Sequence, residues 1–296
     1  GTMRGLTKWA MRAEHPTQVP ELMREAFRQM ASGRVRPAGI EIPPDVLGLQ
    51  CDVEVGMPGI PPPPPVPDPD LIDKAAALLG QAENPLIFVG GGIFGAEAEL
   101  QVLAEMLQAP VILSRAAGGA MSDRHTLAHR LQAGHRLWGK ADVVLGVGTR
   151  LFPQVPAWGV DSELKLIRID IDPSEVSRNA VPTIGITADA KQALAALAGR
   201  VAIHNRRRAA RDDEMKALKG EVRQYLDTKL GPQMAWLDAL RAAMPDDAFF
   251  VEELTQVGYV ARVGFPVYTP RTYVSSGYQG TLGYGYATAL GVKIAN

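Results

Sequence analysis

The stretch Asn84-Pro-Leu-Ile-Phe-Val-Gly-Gly-Gly92 decides the fold class of this chain. Its apolar run has the length of a buried strand, and the three glycines make a tight turn into a helix predicted over residues 96–107. Further apolar runs alternate with helical patterns along the neighbouring sequence, which is typical of a parallel sheet with crossover helices. The other predicted elements are strands over 109–113, 142–148, 164–172 and 183–187, and helices over 70–81, 127–137 and 190–198.

The alternation predicts a doubly wound, Rossmann-like α/β domain over residues 70–200. Five consecutive prolines, Pro61 to Pro65, indicate a semi-rigid linker before it. Outside this core the patterns predict a helix over 16–32, a strand over 37–43, a helix over 233–244 and strands over 248–253 and 272–275. The sequence therefore divides into a partial α/β domain (1–52), a proline-rich linker (53–69), the central domain (70–200), a charged helical linker (201–230) and a second partial α/β domain (231–296).

Composition excludes several classes of protein. The 296 residues are 46% apolar and 21% charged, with a formal net charge of −1, so no strong field attracts nucleic acid or anionic membrane. The single cysteine, Cys51, excludes an internal disulfide and favours a reducing compartment. No apolar run approaches the ~20 residues that a bilayer span needs. We expect a cytoplasmic protein with no nucleic-acid or membrane partner.

A second glycine-rich stretch closes the sequence: Gly277-Tyr-Gln-Gly-Thr-Leu-Gly-Tyr-Gly-Tyr-Ala-Thr-Ala-Leu-Gly291. Glycines that open a helix bring bare backbone groups close to a ligand, and here they frame one bulky apolar side chain, Leu282. This combination suits a planar cofactor held by backbone hydrogen bonds and supported by one aliphatic group. Glycine-rich helix starts also serve plain packing, so the pattern leaves both interpretations open.

The order of these segments, with their motifs, resembles thiamine-diphosphate-dependent enzymes of the acetolactate synthase and benzoylformate decarboxylase type. The resemblance covers nearly the whole chain, as the end of a pyrimidine-binding domain, a central domain and the start of a diphosphate-binding domain. The motifs that carry it are Ala38-Gly-Ile-Glu-Ile-Pro-Pro-Asp45, Asn84 to Gly92, Ala141-Asp-Val-Val-Leu-Gly-Val-Gly-Thr-Arg150, Arg168-Ile-Asp-Ile-Asp-Pro-Ser-Glu175, Val251-Glu-Glu-Leu-Thr255 and Gly280-Thr-Leu-Gly-Tyr-Gly285.

The resemblance implies four cofactor-binding residues. Leu282 falls where the family supports the bent conformation of thiamine diphosphate, and the carbonyl of Gly280 falls where the family accepts a hydrogen bond from the 4′-amino group. Thr255 and Gln256 fall where benzoylformate decarboxylase-like members bind the diphosphate. From the residues alone, Leu282 also suits a core position and Thr255 also suits a helix cap.

The resemblance further implies Mg²⁺ bound by ligands expected beyond Asn296, and an activating glutamate that lies outside this sequence. It implies decarboxylation and/or carboligation of a 2-oxo acid by a homodimer or homotetramer, with the present chain incomplete for catalysis. Two alternatives stay open, a module that binds FAD, ADP or NAD, and a non-catalytic scaffold. Gly90 to Gly92, Arg150, Asp170 and Asp172 are the nucleotide-site candidates, although a full Gly-x-Gly-x-x-Gly fingerprint is missing and FAD is less favoured than an empty structural domain.

The remaining candidates favour ordinary structural roles. His125 and His129 are spaced to share a helix face, but no third ligand accompanies them, so we expect polar surface and not a metal site. Glu252 and Glu253 would point to opposite faces of a strand, so they are no ready acid–base pair.

Overall fold

The computed structural model describes residues 2–152, 154–277 and 279–296. It divides into two compact units, Gly1–Pro65 and Val66–Asn296. The division lies inside the predicted proline-rich linker of residues 53–69. The five-part division of the sequence stays a prediction.

The first unit contains a two-stranded parallel sheet. Its elements are α1 (Met3–Leu6), β1 (Trp9–Arg12), a 3₁₀ turn (Pro16–Gln18), α2 (Val19–Ala31), β2 (Ala38–Glu41) and α3 (Pro44–Leu47). Trp9 pairs with Ala38, and the register continues to Arg12 opposite Glu41. The predicted helix and strand are confirmed here, whereas β1 was missed because its four residues carry no clear alternation of apolar and polar side chains.

A six-stranded parallel sheet forms the centre of the second unit. Its strands are β3 (Pro85–Val89), β4 (Val111–Leu113), β5 (Ala128–His129), β6 (Val143–Val147), β7 (Lys165–Asp170) and β8 (Ile184–Thr187). They lie in the order β5-β4-β3-β6-β7-β8, and every neighbouring pair is parallel. The predicted doubly wound α/β fold is therefore confirmed. Every residue of β3 and β6 is buried, as expected for central strands covered on both faces.

Helices cover the sheet on both faces because the chain leaves β3 toward β4 and returns across it to β6, and right-handed crossovers then place the connecting helices on opposite sides. These helices are α4 (Pro69–Gln81), α5 (Glu97–Leu107), α6 (Leu131–Trp138), α7 (Gln154–Trp158), α8 (Pro173–Val176) and α9 (Ala190–His204). Short 3₁₀ turns span Gly91–Ile93 and Arg115–Ala117. α4 and α5 both pack against α9. Phe88 of β3 contacts Trp138 and Trp158, with ring centroids 5.5 and 5.9 Å away.

The predicted helix over residues 127–137 is wrong at its start. Ala128 and His129 form the edge strand β5, and the helix begins at Leu131. Val111 pairs with Ala128, and Ile112 pairs with His129. Pairing with a neighbouring strand outweighs local helical propensity at this edge.

The chain after the sheet forms a long helix and a small second core. Its elements are α10 (Asp212–Ala243), β9 (Phe250–Val251), α11 (Gln256–Gly264), β10 (Tyr273–Val274) and α12 (Tyr284–Ala295). The predicted restart at Gly231-Pro232 is a kink inside α10, where Leu230 leaves the helical conformation. This relieves the clash that an interior proline imposes on the preceding turn. Both strands were predicted, but α11 was missed. No helix in the described ranges is long and apolar enough to cross a bilayer.

Candidate functional site

The site begins where β9 turns into α11. Thr255 caps the helix, because its Oγ1 accepts a hydrogen bond from the Gly258 N–H at 3.0 Å. A Cβ on Gly258 would lie 1.9 Å from the Glu253 carbonyl oxygen, so this turn requires glycine. The cap interpretation of Thr255 is confirmed. Its hydroxyl uses only an oxygen lone pair in the cap, which leaves the proton available to an anion at the helix start.

Glu253 joins this turn to the C-terminal glycine loop. One carboxylate oxygen accepts from the Leu254 N–H at 2.7 Å, and the other accepts from the Gly285 N–H at 2.7 Å. These backbone donors hold the pKa of Glu253 below its usual value. Gly285 lies in the first turn of α12, so the carboxylate also satisfies a helix N-terminus. Sequence reasoning missed this role, since nothing near Glu253 in the sequence marks its partner 32 residues later.

The glycine loop places Gly280 against the same turn. Gly280 has φ +58°, and a Cβ there would lie 3.3 Å from Leu254, the residue before Thr255. Leu282 is 79% exposed, so the core interpretation of this leucine is wrong. Gly283, with φ +80°, is the N-cap of α12. The loop and the start of α11 are thus brought together across a gap of about two dozen residues, with Leu282 at the surface.

Gln256 opens α11 beside Thr255. Its side chain is exposed and accepts a hydrogen bond from Gln233 of α10, with 3.2 Å between Nε2 and Oε1. As the first residue of the helix, it has a backbone N–H without an intrahelical acceptor. Its backbone is therefore better placed than its side chain to meet an anion. The cofactor roles of Thr255, Gln256, Gly280 and Leu282 stay predictions.

Glu252 is buried beneath the start of α11 and hydrogen-bonds to Arg262 and Tyr273, so it does not form an acid–base pair with Glu253. It is 1% exposed and accepts from Arg262 Nε at 2.9 Å and from the Tyr273 hydroxyl at 2.5 Å. Burial and the Glu252 carboxylate raise the pKa of Tyr273 well above its usual value. These contacts tie α11 to β9 and β10, which fixes the direction in which α11 leaves the strand.

The glycines of the Gly90 to Gly92 loop, which were candidates for a nucleotide site, form backbone hydrogen bonds within the chain. Gly90 and Gly92 donate to the carbonyls of Val147 and Gly148 at 3.1 and 3.2 Å. A Cβ on Gly90 would lie 2.2 Å from the Gly148 carbonyl oxygen. The glycines thus let the ends of β3 and β6 approach each other. Two backbone N–H groups of this loop are thus used within the chain, which lends no support to FAD binding, the less favoured alternative.

The polar candidates beside that loop also have partners within the chain. Asp172 caps α8 through the Ser174 N–H at 3.0 Å, and Asp170 accepts from the Asp172 N–H at 3.0 Å. Arg150 forms an ion pair with the buried carboxylate of Glu175 at 3.4 Å. These interactions give Arg150, Asp170 and Asp172 structural roles that do not require a bound nucleotide.

The histidine pair is separated by the fold. His129 is 3% exposed in β5, whereas His125 precedes the strand and contacts Glu105, with 3.0 Å between Nε2 and Oε1. The expectation of polar surface at His129 is wrong, because strand pairing turns it inward. Within the described ranges, no cluster of three or more His, Cys, Asp or Glu side chains is placed to hold a metal ion.

Comparison with known proteins identifies the family of this chain. Residues 72–197 match the family model of the thiamine pyrophosphate enzyme central domain, and residues 255–296 match that of the C-terminal thiamine-pyrophosphate-binding domain. The second match contains Thr255, Gln256, Gly280 and Leu282.

Three relatives are each 31% identical to this chain. They are a probable acetolactate synthase large subunit of Methanocaldococcus jannaschii, a probable 2-ketoarginine decarboxylase of Pseudomonas aeruginosa and a sulfoacetaldehyde acetyltransferase of Rhodobacter capsulatus. The similarity covers 100, 98 and 99% of this chain but 54, 53 and 55% of the relatives. The chain thus spans about half the length of the relatives that it matches. From its sheet, its paired loop and helix start, and these matches, the chain belongs to the family of thiamine-diphosphate-dependent enzymes.

Proposed function

We propose that the protein containing this chain uses thiamine diphosphate and Mg²⁺ to decarboxylate a 2-oxo acid and/or to join it to a second carbonyl compound. The observation that carries the proposal is the junction of the C-terminal glycine loop with the start of α11, where the Glu253 carboxylate accepts from Gly285 and Gly280 lies against Leu254. This junction brings the bare backbone of the loop, with Leu282 exposed between two glycines of positive φ, beside the first N–H groups of a helix.

The residues fit the pyrimidine half of the cofactor. The Gly280 carbonyl would accept a hydrogen bond from the amino group, and the absence of a side chain there lets the ring approach the backbone. Leu282 would support the bend between the two rings through apolar contact. The bound cofactor supplies the electron sink for decarboxylation, and the protein supplies binding and orientation.

The start of α11 fits the diphosphate half. The Thr255 hydroxyl and the first backbone N–H groups of α11, including that of Gln256, form a donor set for phosphate oxygens. Glu253 holds this donor set in register with the glycine loop through Gly285. A Mg²⁺ ion belongs to the same proposal, and we assign none of the described residues as its ligands.

The relatives support the reaction class but differ among themselves. One is named as a synthase, one as a decarboxylase and one as an acetyltransferase. We therefore propose the shared chemistry of carbon–carbon cleavage and formation, with a 2-oxo acid as substrate and a homodimer or homotetramer as the assembly.

The test is Leu282→Ala in the complete protein. We expect kcat for 2-oxo acid decarboxylation to fall at least about tenfold, because a misplaced reacting group loses orientation. The melting temperature should stay unchanged, because the side chain is exposed. Leu47→Ala on α3, where the leucine is 71% exposed, is the matched control and should keep full activity. Unchanged turnover in Leu282→Ala, or no binding of thiamine diphosphate with Mg²⁺, would contradict the proposal.

A further inference from the structure

A cavity of about 270 Å³ lies between the edge of the central sheet and the long helix α10. Residues after β4, β5 and the start of α6 form one wall, α10 forms a second, and the end of α11 with the loop after it forms the third. Most of the lining is apolar: Ala128, Ala133, Val222, Leu226, Met234 and Phe265. None of the four predicted cofactor residues lines it, so the cavity is a separate feature of the fold.

The polar part of the lining is positively charged. The lining contains one carboxylate, Asp123, and four cationic side chains: Arg124, Arg130, Lys219 and Arg223. Arg130 and Asp123 form a pair with 2.5 Å between Nη2 and Oδ2, so they neutralise each other. The carboxylates that pair with Arg124 and Arg223 do not line the cavity.

Among the described residues, Lys219 has only the carboxylate of Asp123 near it, and that carboxylate is already paired with Arg130. Its ammonium donates to the backbone carbonyls of Asp123 and His125 at 2.8 and 2.6 Å, and no carboxylate in the described ranges forms an ion pair with it. Its burial lowers its pKa, which reflects the cost of an ammonium kept from water. A carboxylate in the cavity would offset that cost, because a hydrogen bond between an ammonium and a carboxylate is stronger than one between neutral groups.

His129 strengthens the same preference for an anion. It lines the cavity, and burial together with the charges of Lys219 and Arg211 lowers its pKa to about 3. The imidazole is therefore neutral near pH 7, chiefly because it is buried, and the nearby cations act in the same direction. Its Nε2 has no hydrogen-bond partner in the part of the chain that the structure describes.

The size of the cavity restricts the ligand. A dry apolar cavity of about 150 Å³ holds a benzene ring, so about 270 Å³ accommodates such a ring with a short acidic arm. Inorganic phosphate would leave the apolar walls without contacts. We propose that this cavity binds a small organic monocarboxylate with an apolar body about the size of one benzene ring, with its carboxylate on Lys219.

The cavity is joined to the predicted cofactor site by one helix. Val263 and Gly264 line the cavity at the end of α11, whose start is Gln256. Nine helical residues span roughly 13 Å, so an occupant would contact the far end of the helix that carries the diphosphate donors. The binding itself does not depend on the proposed function and needs no cofactor.

Phenylacetate is the probe, titrated by calorimetry into the cofactor-free protein, with phenylacetamide as the neutral analogue and inorganic phosphate as the anion without an apolar body. We expect one phenylacetate per chain. Its binding should be at least about tenfold tighter than that of phenylacetamide, from the charge-assisted hydrogen bond to Lys219, and phosphate should not compete.

Two variants locate the site. Lys219→Met should weaken phenylacetate at least about tenfold, whereas Lys216→Met, an exposed lysine one turn earlier on α10, should leave it within about twofold. Val222→Phe fills the cavity and should abolish binding even if the lysine variant does not fold. Equal affinity for the acid and the amide, binding that survives Val222→Phe, or no phenylacetate bound at about 10 mM would each overturn the proposal.

Discussion

Two glycine loops follow strands of the second unit, and they serve opposite purposes. The loop at Gly90 to Gly92 is packed against the end of β6, with a virtual Cβ on Gly90 only 2.2 Å from the Gly148 carbonyl oxygen. The C-terminal loop is more open around Gly283, where a Cβ would meet nothing within 4 Å, although a Cβ on Gly280 would lie 3.3 Å from Leu254. In the first loop, glycine allows the ends of β3 and β6 to approach each other. In the second loop, glycine allows positive φ angles, as at Gly283.

The comparison shows that glycine content alone does not identify a ligand site. The loops differ in the acceptors of their backbone N–H groups and in the exposure of the side chains beside them. The N–H groups of Gly90 and Gly92 donate to the end of β6, whereas the C-terminal loop exposes Leu282 and is held by Arg115, which donates to the Gly277 carbonyl, and by Glu253, which accepts from Gly285. Variants at both loops and at the sheet edge test this difference.

The largest effect is expected for Gly90→Ala. Its methyl group would collide with the Gly148 backbone, which the parallel ladder holds in place, so we expect a loss of about 3 kcal/mol or more in the free energy of unfolding. Urea denaturation followed by circular dichroism measures it. Gly91→Ala is the control, since the nearest atom to its Cβ is 3.4 Å away, and it should cost less than about 1 kcal/mol. Equal losses of stability in the two variants would show that contact with the Gly148 backbone does not set the cost at Gly90.

A smaller effect is expected from acid at the sheet edge. The pKa of His129 is lowered to about 3 in the folded chain by burial and by nearby cations, against 6.5 for the free side chain. As the pH falls below 6.5, the unfolded chain therefore takes up a proton that the folded chain refuses, and stability is lost until about pH 3. For this residue alone we expect about 2 kcal/mol between pH 7.5 and 5.

His129→Phe should remove that part of the pH dependence. The difference between wild type and variant, measured by urea denaturation at the two pH values, isolates the residue from the carboxylates that titrate in both. His15→Gln, an exposed histidine of the first unit, should leave the wild-type slope. Parallel curves for wild type and His129→Phe would mean that His129 is hydrated in the folded state.

The smallest effect is expected for the open loop. Gly283→Ala should cost about 1 kcal/mol, from the positive φ alone, because no atom obstructs the methyl group. Gly283→Asn should recover part of this loss, since asparagine tolerates the left-handed region. A loss comparable with that of Gly90→Ala would show that the open loop is also packed.

The sequence predicted the central sheet well because fully buried parallel strands have an unmistakable apolar pattern. It failed at β5, where two residues join the sheet through pairing with β4, and at α11, which begins a few residues after a two-residue strand. The role of Glu253 in joining the two segments could not be predicted either, because it also depends on a contact between distant parts of the sequence. Its partner, Gly285, is close only after both segments have folded.

The sequence by itself determined the doubly wound sheet, the order of its segments and the family resemblance, since these depend on local periodicity and on motifs read in order. Tertiary structure alone decided that Gly90 lies against the end of β6, that Leu282 is exposed, and that Lys219 lines a cavity whose carboxylate, Asp123, is paired with Arg130. These depend on distances between residues far apart in sequence, and periodicity within a segment carries no information about such distances.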